Sequence, residues 1–469
     1  MAIESLQFGD SIAGQLIDGD PDTPLTAATM RMLDPSGIQL DVPFMSRAAS
    51  EQFVHLDQWF SGQDPPQNMV LLTAQGSASL FNVQWAGHTD PSGHQLSLGR
   101  LRARETVLGH RDGVLDAPLV IETARSRIDG LNAWARSSAI SRKYDTDERG
   151  RTRKLTLELD GKTLATWSQG QAEMSITSSW TTSAAEDGYE SSFTVGDNVH
   201  IESRFAGEPR PFFDHFVEQR KIASLLVFLF ACPISFREHR VQDESFPARM
   251  MDGRVYDHPF VELISELSVR ERSRPVPSAK AMNRPTAYLE QIGPEGLEAW
   301  NANYDAWSRF ILPAAGVLGR SGAFMEDVVT STSMSIEAAG HLLGVQEGEE
   351  STWSRNRPST ATYVYRCLHA LGIDWGSCAV SIEGLARAVA NNYNAVKHFD
   401  RGDLPAHEET YLISIVTRLV VQLTALQLTG KGDQLLVDYR SGSAMWDVRQ
   451  RFAAYGLRVE SAGAWARTN

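Results

Sequence analysis

The stretch Pro209–Pro233, PRPFFDHFVEQRKIASLLVFLFACP, marks where the character of this 469-residue chain changes. Phe216, Ile222, Leu225 and Val227 recur at helical spacing, and Pro233, with no N–H to donate, ends the pattern. Its C-terminal part, Ile222–Ile234, is the longest apolar run in the chain. It is shorter than the about twenty residues that a bilayer requires, so it reads as a buried core helix.

Upstream, to about residue 210, the pattern is β-like. Alternating runs recur at 68–74 (NMVLLTA), 78–85 (ASLFNVQW), 94–103 (HQLSLGRLRA), 192–197 (SFTVGD) and 199–205 (VHIESRF), with Gly, Pro, Asp and Ser between them. In KLTLELDGKTLATW (154–167), Asp160-Gly161 predicts a tight hairpin between two alternating strands. The segment SRIDGLNAWARSSAI (126–140) interrupts the strands and predicts a short helix, with Ile128, Leu131 and Trp134 on one face. A second β-like portion runs to about residue 268, and RERSRPVPSAKAMNRP (270–285) reads as a linker. Beyond it, 293–319, 323–344, 359–372, 381–399 and 408–430 all carry apolar residues at steps of three and four. Ser359 and Ser381 sit where N-caps belong. The expected fold is therefore α+β, with a β-rich sandwich or barrel over residues 1–282 and an all-helical bundle over 283–469.

The net charge of −14 predicts no general attraction to nucleic acid or an anionic membrane, so such a partner would need a local basic patch. Arg142, Lys143, Arg149, Arg151, Arg153 and Lys154 form one cluster, and the linker arginines another. Interleaved Asp145, Asp147 and Glu148 make a solvated loop the ordinary reading of the first. Cys232, Cys367 and Cys378 form no Cys-x-x-Cys pair, which fits a reducing, cytoplasmic setting. No phosphate-binding Gly-x-x-x-x-Gly-Lys-Ser/Thr loop occurs.

The chemistry concentrates in NNYNAVKHFD (391–400). Arg387, Asn391, Asn394 and His398 share one polar helix stripe, opposite Leu385, Val389 and Val396. A solvated helix face would look the same. The residue set adds an imidazole able to move protons near neutrality, with Lys397 and Arg401 beside it to attract a phosphate. Glu337 and His341 make a second one-turn pair, and Glu337 could orient His398. His369 and Cys367 read as core residues. His239 and His258, near Asp243, Glu244, Asp252 and Asp257, match no metal motif and read as a polar loop.

The IDGLNAW core of 126–140, followed by a helical part with YNAVKHFD, resembles the ApeA-like bacterial anti-phage defence proteins. These join an ApeA N-terminal domain to a HEPN domain. The resemblance implies an abortive-infection defence protein whose HEPN-like bundle is a metal-independent endoribonuclease, controlled by the β-rich domain. It implies no metal or organic cofactor, no membrane partner, RNA (tRNA included) as target, a phage-derived trigger, and a homodimer or higher homo-oligomer with composite sites. Carried over, His398 matches the motif histidine and Asn394 the polar residue after the motif arginine. Lys397 and Arg401 would supply charge, and Tyr393, Arg387 and Asn391 would contact substrate. Tyr393 stands where the family has arginine, a departure that favours the first of two other readings. One is a degenerate bundle that dimerises and binds nucleic acid without cutting. The other is a β-sandwich recognition module using Trp85, Trp134, Trp167 and Trp180, with a structural helical tail.

Overall fold

The computed structural model describes residues 3, 5–45, 54–89, 96–186, 189, 191–398 and 404–468. Strands β1 (Ser11–Ile17), β2 (Thr26–Leu33), β3 (Gly37–Met45), β4 (Met69–Thr73), β5 (Gly76–His88) and β6 (Leu96–Val107) pair antiparallel in the order β6-β3-β2-β1-β4-β5. β5 then pairs back onto β6, closing a six-stranded barrel. Alternation places Met30, Met32, Leu40, Val42, Leu80 and Leu101 inside, each at most 1 % exposed. The short helix α1 (Val54–Phe60) adds Leu56, Trp59 and Phe60 to this core, with the Phe60 ring 4.6 Å from that of Phe44.

β6 also carries the sheet outward. β7 (Thr123–Ile128), β10 (Lys162–Gln169), β11 (Ala172–Glu186), β12 (Ser191–Phe205), β13 (Phe236–Gln242) and β16 (Val261–Ser265) extend it in the order β10-β11-β12-β7-β13-β16-β6. Two ribbons stand outside it: β8 (Ile140–Thr146) with β9 (Thr152–Leu159), and β14 (Ala248–Arg249) with β15 (Val255–Asp257). The expected hairpin at Asp160-Gly161 does not form. β9 pairs with β8 and β10 with β11, and Gly161 does not take a positive φ. The Asp160 N–H donates to the Ala139 carbonyl at 2.9 Å, which redirects the chain. Alternation marked both strands but could not name their partners.

The chain divides into two compact units. The first comprises Met1–Asp129, Ser138–Gln219 and Ser235–Val276; the second comprises Gly130–Ser137, Arg220–Ile234 and Pro277–Asn469. The second therefore gathers two pieces from within the β-rich region: the helix α2 (Leu131–Ala135), and the C-terminal part of α3 (Phe212–Phe230). In it, Phe228 stacks on Phe310 at 5.7 Å, and the Trp300 indole N–H donates to the Lys221 carbonyl at 2.9 Å.

After α4 (Val269–Arg272), the helices are α5 (Leu289–Tyr304), α6 (Ser308–Leu318), α7 (Met325–Leu343), α8 (Thr360–Leu371), α9 (Ile382–Lys397) and α10 (His407–Leu428). Short α11 (Gly432–Leu435) and α12 (Val437–Arg440), then α13 (Trp446–Tyr455) and a hairpin of β17 (Leu457–Val459) and β18 (Trp465–Arg467), complete the chain. The expected helical segments form, 293–319 as two helices, and Ser359 and Ser381 cap α8 and α9. The β17–β18 hairpin departs from the all-helical expectation, because Gly456 ends α13 in the left-handed region and the chain turns back on itself. α10 is long and apolar enough to cross a membrane by length and composition, but 67 % of its apolar window is buried inside the protein.

β6 accepts the Phe60 ring only because residue 99 has no side chain. A Cβ on Gly99 would lie 2.2 Å from Cζ of Phe60. Gly99→Ala is expected to displace α1 from the barrel and destabilise the protein by about 1–3 kcal/mol, read as a lowered midpoint of urea unfolding with far-UV dichroism retained.

Candidate functional site

Helix α9 begins where the Ser381 hydroxyl accepts the N–H of Gly384 at 3.1 Å. It ends at His398, whose backbone is extended and whose N–H still reaches the Asn394 carbonyl at 3.0 Å. Asn394 and His398 therefore stand one turn apart at the helix end, both half-buried, with Lys397 exposed between them. Arg401 lies outside the described residues.

The other expected contacts have different tasks. Arg387 does not face an open site: one terminal nitrogen donates to the Ser461 carbonyl at 2.9 Å and the other to the Ser351 carbonyl. It fastens the C-terminal hairpin and the turn before α8 to α9. Tyr393 is 1 % exposed, with its ring in the core. Its hydroxyl accepts from the Lys397 ammonium at 3.2 Å, and that ammonium lies 5.2 Å from the ring centroid. Glu337 accepts the Thr360 hydroxyl at 2.7 Å at the start of α8. His369, expected in the core, is exposed and faces the Gln346 side chain at 3.2 Å. Its apolar neighbours in the sequence misled there, because α8 turns His369 outward. Cys367 is buried, and burial pushes its thiol well above the ordinary value, which suits a structural residue.

Sequence reading missed the cavity on the flank of α9. Its volume is about 260 Å³, and it is lined by Ala388, Asn391, Asn392, Ala395, Pro405, Glu409, Gly463 and Trp465. Asn391 is exposed at its mouth. The Asn392 amide donates to the Thr410 hydroxyl at 3.1 Å, while its buried Oδ1 has no partner among the described residues. Glu409 is raised above the usual carboxylate value, by burial and then by adjacent Glu408. Nothing in local spacing could have joined Trp465 to Asn391, because the hairpin that carries it folds back over seventy residues.

The first unit holds a second polar group that the sequence placed wrongly. His239, expected in a solvated loop, is 1 % exposed. Its Nδ1 lies 2.6 Å from the Ser126 hydroxyl and its Nε2 2.6 Å from that of Ser268. Gln219 bridges Ser126 to Ser203, and Ser203 meets His215 at 3.0 Å. Each of these groups is at most 1 % exposed, so no substrate reaches the Ser–His pairs. They join α3 to the sheet. Among the described residues, no cluster of three or more His, Cys, Asp or Glu could hold a metal ion. Of the four tryptophans considered for recognition, Trp134 and Trp167 are buried, Trp85 packs against the barrel core, and Trp180 is exposed.

The turn that receives Arg387 rests on a buried ion pair. Both Glu349 oxygens accept from Arg366, at 2.6 and 2.8 Å, with Glu349 fully buried. These hydrogen bonds hold the Glu349 carboxyl down at about 2, against 4.5 for an ordinary glutamate. Because the folded value is the lower one, its contribution is present above pH 4.5 and is lost as pH falls toward 2. Roughly 3 kcal/mol of stability should disappear over that window. Denaturant unfolding from pH 6 to pH 2 should show this slope in the wild type and a flatter, lower curve in Glu349→Gln.

No curated protein and no solved structure matches the chain. A family model does: residues 34–249, from the end of β2 through β14, match ApeA N-terminal domain 1, so this span of the chain is ApeA-like.

Proposed function

We propose that the chain is a bacterial anti-phage defence protein of the abortive-infection type, acting in the cytoplasm, in which the helical unit is a HEPN-like, metal-independent endoribonuclease. The ApeA N-terminal domain suggests the defence role. The observation that carries the nuclease reading is the half-buried Asn394–His398 pair at the end of α9, with Lys397 exposed between them in the chain. In this reading His398 takes the proton of a ribose 2′-hydroxyl, whose oxygen attacks the adjacent phosphorus. The bond to the 5′-oxygen breaks, and that oxygen takes up a proton, leaving a 2′,3′-cyclic phosphate and a free 5′-hydroxyl. Asn394 orients the phosphate, and Lys397 offsets the charge that builds on its oxygens. The β-rich region senses a phage-derived trigger and restrains the bundle. The active species is a homodimer. It is built through the helical region.

Purified protein incubated with total RNA tests this directly. Cleavage should persist in chelator and leave cyclic-phosphate ends. His398→Ala should abolish it, and any toxicity in cells, with an unchanged unfolding midpoint. Equal cleavage by the mutant would place the chemistry elsewhere.

One observation favours the second reading, a bundle that binds RNA without cutting. The residue at the family's arginine position, Tyr393, is buried rather than turned to solvent. Tyr393→Arg would place a guanidinium in the core, so it should not create a nuclease. It should lower stability by several kcal/mol, visible as a fall in thermal midpoint without gain of cleavage. Gain of cleavage with stability retained would show that the position opens to substrate.

A further inference from the structure

Resting on the ribonuclease reading, we propose that the cavity beside α9 is a base subsite that takes a guanine of single-stranded RNA next to the scissile phosphate. Three features of the cavity point there. Its volume of about 260 Å³ lies just under the range for drug-sized ligands, which fits one planar ring system better than a whole nucleotide. Trp465 contributes an aromatic surface; its ring is half-exposed and braced on one side by Phe452, with centroids 6.0 Å apart and planes at 24°. Stacking on an aromatic side chain is how proteins commonly hold an unpaired RNA base.

The third feature is an excess of hydrogen-bond acceptors without donors. Glu409 has no hydrogen bond or ion pair among the described residues, and burial with Glu408 nearby leaves its carboxyl raised. The Oδ1 of Asn392 is buried and unpartnered. A ligand satisfying both must bring N–H groups. Guanine alone among the four bases presents two adjacent N–H donors on its pairing edge, N1–H and the N2 amino group, which a carboxylate accepts together. Adenine and cytosine would turn a ring nitrogen acceptor toward it, and uracil two carbonyls. The Asn391 amide at the mouth can serve the remaining O6 and N7 acceptors.

The walls are fixed in place. Gly463 approaches α9 so closely that a Cβ would lie 2.6 Å from that of Arg387, and the Arg387–Ser461 bond fastens the same turn. Asn391 precedes His398 by seven residues, about 10 Å along the helix, a distance that one or two nucleotides span.

Binding of the four ribonucleoside 5′-monophosphates, followed by calorimetry alongside cleavage of RNAs differing in one base, tests the proposal. GMP should bind at least tenfold tighter than AMP, CMP or UMP. Glu409→Gln, which keeps the shape, and Trp465→Ala should each weaken GMP tenfold or more, while thermal unfolding reports their folding. RNA cleaved with no base preference and no selective GMP binding overturns the subsite while the ribonuclease stands. Selective GMP binding without any cleavage keeps the subsite and overturns the ribonuclease. Glucose or N-acetylglucosamine binding lost in the same variants, with no GMP binding, overturns the subsite in favour of a sugar pocket.

Discussion

One guanidinium in the first unit decides how the chain is routed. Arg237, at the start of β13, donates to both oxygens of Asp129 at 2.8 and 2.6 Å. Its remaining N–H groups reach the carbonyls of Glu271, Arg272, Arg274 and Pro275. Burying a charge pair is costly, and here the cost is offset because every donor finds an acceptor in a fixed planar fork. The chain leaves the first unit after Asp129 and again after Val276, so two of its exits are held by the same side chain. The supposed linker is thus anchored at its beginning. This also gives the IDGLNAW segment a physical meaning. Asp129 is the anion of the pair, Gly130 takes the positive φ of 83° that starts α2, and Leu131 and Trp134 are wholly buried. These residues specify a path for the chain.

Each unit ties distant segments together through side-chain hydrogen bonds. In the first, besides Arg237, buried side chains on sheet and helix (His239, Ser126, Gln219, Ser203, His215) exchange hydrogen bonds in one continuous chain. Such a network fixes the register of α3 on the strands, since shifting it by one residue would orphan several groups at once. In the second, as Arg237 does in the first, long arginines reach across to main-chain carbonyls: Arg387 to Ser351 and Ser461, and Arg440 to Leu371. The consequence for function is that an arginine on a helix's polar stripe is no guide to catalysis in this bundle. Arg387 looked free in the sequence because its partners lie in turns thirty-six and seventy-four residues away.

What the sequence disclosed was periodicity. The helices α5 to α10, the caps on α8 and α9, and the β-rich character before residue 210 all follow from local pattern. Alternation does not encode which strands neighbour each other, so barrel closure through β5–β6 and the separate β8–β9 ribbon stayed hidden, and Asp160-Gly161 was misread. The candidate site was half legible. His398, Asn394 and Lys397 share one helix end, which spacing predicts. Glu409, Gly463 and Trp465 arrive from other segments, and Tyr393 and Asn392 turn inward because α9 is packed on more of its circumference than its polar residues suggest. A chain shows which residues share a helix face long before it shows what covers that face.

Closure of the barrel has one more consequence. β5, which would otherwise end the twelve-stranded sheet, pairs with β6, and only β10 is left with a single neighbour. Among the described residues its outer backbone groups are one open rim, and the arm of β11 and β12 beyond it has two more: Ser179–Glu186 pair only with β12, and Ser191–His200 only with β11. A peptide that joined this sheet by strand addition would therefore enter beside Lys162–Gln169 or along the β11–β12 arm, away from the β5–β6 seam where the barrel closes.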